Sequence, residues 1–363
     1  MVATDRVPGR LHELDSLRGI AAATVLLNHL SNTFGDNVLL QTWGHSAVLL
    51  FFLLSGFVLY LSFDSAPNYG RFIVRRVFRL YPAYLAAVLV SFALANALSG
   101  WPMPSLSEWF REFWAHPFGL GTLLRQASMV GVFDINALDP PVWSLVHEMR
   151  ISLVFPLLVL FVRRYPLWLS LVTAFAVGLG GFVIGHGYQV SASWLVTPTY
   201  LMPFAIGTLL ARHRAALASW LTRQSRLMKW ALLGWGLAAY SAAASGYLQV
   251  LWVFGDWAVV AGASLFIMLA ISSPQASAVL SLRPVRFLGR ISYSFYLWHM
   301  VVLLTVFRLL SGIVPIWALV MLTFAAAIGI STASYYLLEE PFMRLGRRLA
   351  RPRAAERAAT AMS

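Results

Sequence analysis

The sequence contains no cysteine and few charged residues. The absence of cysteine from its 363 residues excludes a cysteine thioester intermediate and a cysteine-ligated metal site. Asp, Glu, Lys and Arg together make up 11% of the chain, whereas a soluble domain has about 25%. The G-x-S-x-G, H-E-x-x-H, P-loop and G-x-G-x-x-G signatures of common soluble enzymes are absent as well. The composition therefore argues against a soluble enzyme, and no metal is expected.

Long apolar runs dominate what remains, since apolar residues make up 59% of the chain. Runs of about 20 apolar residues are long enough to cross a membrane as helices, and the first run has no cleavage site that would make it a removable signal. The sequence thus predicts an all-α, polytopic membrane bundle of about ten transmembrane helices. They are expected at 14–34, 44–63, 79–99, 142–162, 166–186, 194–211, 228–247, 251–271, 291–310 and 316–338.

The net charge of +13 is explained by topology, so nucleic acid is not an expected partner. If both termini are cytoplasmic, 22 of the 27 basic residues fall in cytoplasmic segments, which is the usual bias in membrane proteins. The sequence thus predicts a multi-pass protein of a bacterial-type inner membrane. Residues 1–343 form the membrane domain with an outer loop at about 100–141, and 344–363 form a basic, disordered cytoplasmic tail.

The first predicted span, LDSLRGIAAATVLLNHL, carries two polar side chains on one stripe. Arg18 and His29 are eleven residues apart, so they lie within roughly 20° of each other and about 16 Å apart along a helix. Ionisable groups inside a membrane usually line a functional path. The stripe predicts a channel, with His29 as a candidate general base.

A carboxylate follows two prolines in PPVWSLVHEMRISLVFPLL. Glu148 is expected at nearly the depth of His29, where a hydrogen bond to the imidazole would fix its tautomer. The alternative is that Glu148 only neutralises Arg150 or Arg18. The adjacent His147 points elsewhere and is interpreted as structural or interfacial.

Basic residues cluster at the cytoplasmic start of the third span, in NYGRFIVRRVFRLYPAY. The cluster contains Arg71, Arg75, Arg76 and Arg79. Guanidinium groups at this spacing can clamp phosphates, but they also serve as topological anchors, and charge alone does not separate the two. Glu339 and Glu340 are carboxylate partners expected on the same side.

Two further segments hold possible secondary site residues. In GRISYSFYLWHM, the side chains of Ser292, Tyr296 and His299 fall on one helical face, although a packed histidine is the more common case. In FFLLSGFVLY, Ser55 and Gly56 lie at mid-membrane, where close helix packing is the simpler interpretation.

Together these segments resemble the membrane-bound acyltransferase-3 family of O-acyltransferases. The resemblance lies in ELDSLRGIAAATVLLNHL with its R-x10-H spacing, LLFFLLSGFVLY, RRVFRLYPAY, VWSLVHEMRISLVFPLL, ISYSFYLWH and the EEPF ending. These six motifs occur in the same order and cover the chain from about residue 13 to 342.

The resemblance implies transfer of an acyl group, most often acetyl, from cytoplasmic acyl-CoA to a carbohydrate hydroxyl. Acyl-CoA is then a co-substrate, no cofactor is bound, and the partners are a carbohydrate or glycolipid acceptor and membrane lipids. It also implies that Arg18 and His29 are the functional pair, that Arg76 and Arg79 bind the donor, and that Glu339 or Glu340 is functional. Some members carry an extra-cytoplasmic hydrolase-like domain, which is not expected in this sequence because few residues follow Phe342.

Two other classes of function fit parts of the pattern. An exporter of a lipid-linked saccharide also has many spans and buried polar groups, and a proton-coupled transporter uses acidic groups at depth, here Glu148 and Asp256. Neither needs a base and a phosphate clamp on one axis. Direct transfer and an acyl-histidine relay both remain open, as do the acceptor and the oligomeric state.

Overall fold

The computed structural model describes residues 11–35, 38–65, 67–101, 103, 105–185, 192–242 and 251–351. Within these ranges the protein is helical and contains no strand. The long helices are α1 (His12–Phe34), α2 (Val38–Asp64), α3 (Tyr69–Leu98), α6 (Val142–Arg164), α7 (Leu167–Gly185), α8 (Thr197–Thr222), α9 (Arg226–Tyr240), α10 (Leu251–Ser272), α12 (Arg283–Leu310) and α13 (Ile316–Ser334). The short helices are α4 (Glu108–Glu112), α5 (Leu120–Ala127), α11 (Pro274–Leu280) and α14 (Glu340–Leu349).

Each of the ten predicted spans overlaps one of the long helices. The all-α membrane fold is therefore confirmed. Within the described ranges, seven helices are long and apolar enough to cross a membrane. The other three are α1, which carries charges in its first turns, α8, which carries Arg212 and Arg214 in its second half, and α9, which has 15 residues. The number of crossings therefore stays a prediction.

The largest boundary differences concern α3 and α12, which begin ten and eight residues earlier than predicted, and α8, which ends eleven residues later. Asn68 caps α3 by accepting a hydrogen bond from the backbone N–H of Arg71 at 2.9 Å, as a good N-cap residue does. Pro284 lies in the first turn of α12, a position that suits proline. Apolarity alone does not detect these polar first turns. As a result the arginines of 71–79 lie on a helix.

The prediction that the chain is disordered from residue 344 is wrong for the start of that segment. A wide helical turn, Tyr335–Glu339, connects α13 to α14, which continues to Leu349. Gly346 of α14 packs so closely on α3 that an added Cβ would lie 2.6 Å from the Cβ of Phe78. Residues 352–363 of the predicted tail lie outside the described residues.

The segment at about 100–141, predicted as an outer loop, contains the short helices α4 and α5. Ser107 caps α4 by accepting from the N–H of Phe110, and its hydroxyl donates to the carbonyl of Asn32 at 2.6 Å. The segment is therefore tied to the end of α1. We call this side of the bundle the loop end, and the side with Arg163, Arg226 and Arg283 the basic end.

Two pairs of glycines let helices approach to backbone contact. A Cβ on Gly19 of α1 would lie 2.5 Å from the backbone nitrogen of Gly289 on α12. A Cβ on Gly56 of α2 would meet the backbone of Phe204 on α8, and a Cβ on Gly207 of α8 would meet the backbone of Leu53 on α2. Close packing at Gly56 is the outcome expected from the sequence, because small residues permit such crossings.

Candidate active site

The crossing of α1 and α12 determines where two histidines lie. His29 follows Gly19 by ten residues, and His299 follows Gly289 by ten residues. At 1.5 Å per residue both side chains are about 15 Å beyond the crossing, in the direction of the loop end. Since the two helices run side by side in the same direction, equal spacing brings the two histidines to the same height.

The imidazole of His29 stacks with two other rings. Its centroid is 5.4 Å from that of Trp109 on α4 and 5.3 Å from that of His299, and both pairs are stacked, with interplanar angles of 11° and 19°. These two contacts restrict the plane of the His29 ring. Trp109 lies in the predicted outer loop and was not singled out by the sequence analysis.

The tautomer of His299 follows from a hydrogen bond to a backbone carbonyl. Its Nδ1 lies 2.7 Å from the carbonyl oxygen of Tyr296, and because a carbonyl only accepts, Nδ1 carries the proton. In the neutral ring Nε2 then holds a lone pair. Within the described residues, Nε2 of His299 and Nδ1 of His29 are buried atoms without a hydrogen-bond partner.

A cavity of about 240 Å³ opens beside His29 at the loop end. Aromatic rings and amides line it, together with a second histidine: Asn28, His29, Asn32, His45, Trp109 and Trp143. His45, which the sequence analysis did not single out, bonds through Nε2 to Asp256 at 2.7 Å. We call this space the outer cavity. It combines apolar walls with a few polar groups, as small-molecule sites do.

Glu148 lies in a different place from the one predicted. Its carboxylate forms a buried ion pair with Arg76 and accepts a hydrogen bond from Ser55 at 2.8 Å. Arg76 is held further by Ser152, which lies 3.0 Å from its Nε. No hydrogen bond between His29 and Glu148 occurs in the described structure, so the prediction that Glu148 orients His29 is wrong. Ser55 therefore contributes a hydrogen bond to this polar cluster, in addition to lying in the closely packed part of α2.

A second, smaller cavity of about 50 Å³ adjoins this ion pair, and its volume admits only a few water molecules. Its charged lining residues are three arginines and one carboxylate: Arg18, Arg76, Arg79 and Glu148. The lining thus carries an excess of positive charge, which favours an anion. We call this space the inner cavity.

Tyr296 lines both cavities. Its hydroxyl is 2.8 Å from Oγ of Ser144 and donates to the carbonyl of Pro141 at 3.2 Å. Its ring therefore stands between the arginine cluster and the cavity of His29. Ser292 also lines the inner cavity, and the face of Ser292, Tyr296 and His299 predicted on α12 points into this region.

The other residues predicted to bind the acyl donor lie in different environments. Arg79 donates to the sulfur of Met343 at 3.2 Å. Arg75 is part-buried and does not line the inner cavity, and its Nε and Nη2 find no hydrogen-bond partner in the described structure. Glu339 is buried and accepts from Ser294 at 2.9 Å, whereas Glu340 pairs with the exposed Arg344 on the same helix. The structure thus favours Glu339 over Glu340 as the carboxylate that belongs to the interior.

Two buried arginines that received little weight in the sequence analysis hold the loop end together. Arg150 donates to the backbone carbonyls of residues 130, 131, 192 and 193 and stacks on Trp194. Arg308 donates to the carbonyl of Phe113, next to α4. His147 bonds to Thr197 at 2.9 Å, consistent with the structural role expected of it. The hydrogen bonds of Arg150 and Arg308 to backbone carbonyls join residues distant in sequence, so no local motif predicts them.

Comparison with known proteins relates the chain to acyl transfer. A family model described as an acyltransferase domain matches residues 11–336. The chain is 30% identical to acyltransferase MdmB of Streptomyces mycarofaciens over 93% of both proteins, and 26% identical to nodulation protein 10 of Rhizobium leguminosarum bv. viciae over 93% of the chain and 94% of that protein. It is 25% identical to O-acetyltransferase OatA of Staphylococcus aureus over 93% of the chain, which spans 58% of OatA. No solved structure matches.

Proposed function

The chain belongs to the acyltransferase-3 family and is thus an enzyme of acyl transfer, and we propose that it moves an acetyl group from acyl-CoA to a hydroxyl of a carbohydrate-type acceptor. The observation that carries this proposal is the arrangement of two cavities on either side of Tyr296. One has an excess of arginines and suits an anionic donor. The other contains a histidine that stacks with two rings, and it suits an acceptor.

The donor is proposed to approach from the basic end. Acyl-CoA carries phosphates that cannot enter hydrocarbon, and guanidinium groups bind phosphate well. Arg76 is already paired with Glu148, and Arg18 lies 3.7 Å from the carboxylate of Asp15. Arg79 contacts the sulfur of Met343, which is a weak acceptor, so Arg79 is the cation of the inner cavity that is most available to a ligand. Because the inner cavity holds only about 50 Å³, the nucleotide stays outside and only the thioester end enters, with some opening of the cavity.

The acceptor is proposed to bind in the outer cavity. Trp109 and Trp143 offer apolar faces, and Asn28 and Asn32 bring amide groups to the same space. Such a combination suits a sugar, which has both apolar ring faces and hydroxyls. The relative OatA is named an O-acetyltransferase, which supports a hydroxyl as the acceptor group.

The proposed reaction uses His29 as a general base. His29 takes the proton from the acceptor hydroxyl, whose oxygen attacks the thioester carbon. The tetrahedral intermediate collapses with cleavage of the carbon–sulfur bond, and the proton on His29 passes to the departing CoA thiolate. The products are the acetyl ester and CoA, and His29 is neutral again. General base catalysis of this kind contributes about 10²–10⁴ in rate.

The proposed reaction requires that the protein has a fixed orientation in the membrane. We propose that the basic end and both termini are cytoplasmic, in a bacterial-type inner membrane. The excess of basic residues in the proposed cytoplasmic segments supports this orientation. Because the chain lacks cysteine, single cysteines can test it. Ser105 is exposed at the loop end and Ser65 is exposed after α2. A membrane-impermeant maleimide on intact cells should label Ser105→Cys and not Ser65→Cys. The opposite pattern would reverse the topology.

The function itself is tested with purified protein and acetyl-CoA radiolabelled in the acetyl group. We expect label to move to a polysaccharide or glycolipid fraction, or slowly to water when no acceptor is present. Arg79→Ala should raise the donor KM more than it lowers kcat, because a phosphate clamp contributes uniform binding energy. If no label leaves CoA while the protein moves a lipid-linked saccharide across a vesicle, the protein is an exporter and the proposal fails.

A further inference from the structure

A cavity larger than the two cavities of the candidate active site lies apart from them. It is a groove of about 510 Å³ at the basic end, between α1, α9, α10 and α11. Its walls are mainly apolar, and Trp230 and Val279 on its flank are 65% and 60% exposed. Its volume falls within the range of small-molecule sites. The groove is thus open to the surroundings of the bundle rather than to the inner cavity.

The groove has a polar end and an apolar end. Gly236 of α9 and Gly262 of α10 pack at backbone distance, and each lies ten residues from the end of its helix at Arg226 or Ser272. This register places both helix ends at the same level. Arg226 and Lys229 line the groove near that level, whereas Leu233 and Phe266 line it about 10 Å further in. Polarity therefore changes along the membrane normal.

The charge of the groove has one sign. Arg226 and Lys229 line it, and no lining residue is a carboxylate. Glu13, which accepts a hydrogen bond from Ser277 of α11, is not part of the lining. Lys229 donates to the carbonyl of Thr222 at 3.4 Å, which leaves two of its three N–H groups for a ligand. The polar end thus complements an anion.

We propose that this groove binds one anionic phospholipid. Its phosphate lies between Arg226 and Lys229, and one acyl chain follows α9 and α10 past Leu233 to Phe266. A tryptophan at the rim, here Trp230, is typical of the level where headgroups meet hydrocarbon. The site is separate from the two cavities of the reaction, so it does not depend on the proposed function.

Photolabelling of the purified full-length protein tests the site. The protein is placed in nanodiscs of phosphatidylcholine that contain a trace of phosphatidylglycerol with a photoreactive acyl chain. Labelled peptides should map to 226–233 and 266–280. The double substitution Arg226→Gln, Lys229→Gln should weaken this labelling on the order of 30-fold, since each basic residue near a membrane is worth about 1 kcal/mol.

The matched control removes two exposed arginines elsewhere at the basic end. Arg347→Gln, Arg348→Gln on α14 should leave the labelling unchanged. Unlabelled phosphatidylglycerol should compete in the wild-type protein, which tests the site without any substitution. Equal labelling by photoreactive phosphatidylcholine would show unselective lipid contact, and displacement by CoA would assign the groove to the donor. Either result would overturn the proposal.

Discussion

The imidazole rings of His29 and His299 are stacked with their centroids 5.3 Å apart, although the residues lie on the first and twelfth helices of the chain. The contact depends on the crossing at Gly19 and Gly289, because each histidine follows its glycine by ten residues. A substitution that moves the two helices apart at the crossing is therefore expected to move the two imidazole rings apart as well.

Substitution of Gly19 tests this dependence. In Gly19→Ala the new Cβ meets backbone at 2.5 Å, which only a shift of α1 or α12 can relieve. We expect a lower melting temperature, followed by intrinsic tryptophan fluorescence, and a loss of acetyl transfer in the protein that remains folded.

The control for Gly19→Ala is Gly329→Ala on α13. Nothing lies within 4 Å of a Cβ built at Gly329, so alanine there should be neutral or stabilising by up to about 1 kcal/mol. Equal losses of transfer in the two variants would show that the crossing has no special role.

The stack of Trp109 on His29 predicts a second effect. When His29 takes a proton it becomes a cation, and an aromatic face within about 6 Å stabilises a cation by about 0.5–2 kcal/mol. Trp109→Leu should therefore lower kcat by roughly 2- to 30-fold with the donor KM unchanged, and Trp109→Phe should restore part of the rate. Leucine and phenylalanine variants of equal rate would exclude this stabilisation.

The buried pair of Arg76 and Glu148 should matter more for stability than for proton transfer. Removal of one partner from a buried pair leaves an uncompensated charge and costs about 3–5 kcal/mol. Glu148→Gln should therefore lower the melting temperature strongly, and adding Arg76→Met should recover most of that loss. The matched control is Glu340→Gln, whose partner Arg344 is 62% exposed and whose pair is worth less than about 1 kcal/mol. Similar losses from Glu148→Gln and Glu340→Gln would contradict this account.

The loop end contains a carboxyl group that predicts a pH dependence of stability. Asp139 is fully buried, and in the described structure neither carboxyl oxygen has a hydrogen-bond partner. Burial raises the pKa of Asp139 well above its ordinary value. The unfolded chain ionises this group from about pH 4 upward while the folded protein does not, so folding stability falls as pH rises from there towards the raised pKa.

Asp139→Asn should remove this penalty. We expect its melting temperature to exceed that of the wild type at pH 7 and the difference to vanish near pH 4. The exposed Asp134→Asn in the same segment is the control. A gain from Asp139→Asn that is independent of pH would show that ionisation is not its cause.

The sequence predicted the positions of the long helices and the stripe of Arg18 and His29, because both follow from local periodicity and apolarity. It did not predict the partner of Glu148. Depth along a helix can be counted from the sequence, but the direction in which a side chain points depends on which helices are neighbours. The carboxylate of Glu148 points to Arg76 instead of His29.

The contact between His299 and His29 was not predicted, for a similar reason. A histidine beside apolar residues is usually only packed, and nothing local shows that it meets His29. One signal was present, since Gly19 precedes His29 by the same ten residues that separate Gly289 from His299. Equal spacing from two glycines indicates two helices that cross at the glycines and meet again at the histidines. Arg150 and Arg308 gave no such signal, because their partners are backbone carbonyls.

The most direct test of the account is a single-turnover measurement on His29→Ala. The protein, mixed with radiolabelled acetyl-CoA and acceptor, should bind the donor with the wild-type Kd and melt at a similar temperature, while acetyl transfer slows by about 10²–10⁴. His116→Ala, which removes an exposed histidine of the outer segment, should transfer normally. If the His29→Ala protein is folded, binds donor and still transfers acetyl at a substantial fraction of the wild-type rate, His29 is not the base and the assignment passes to His299.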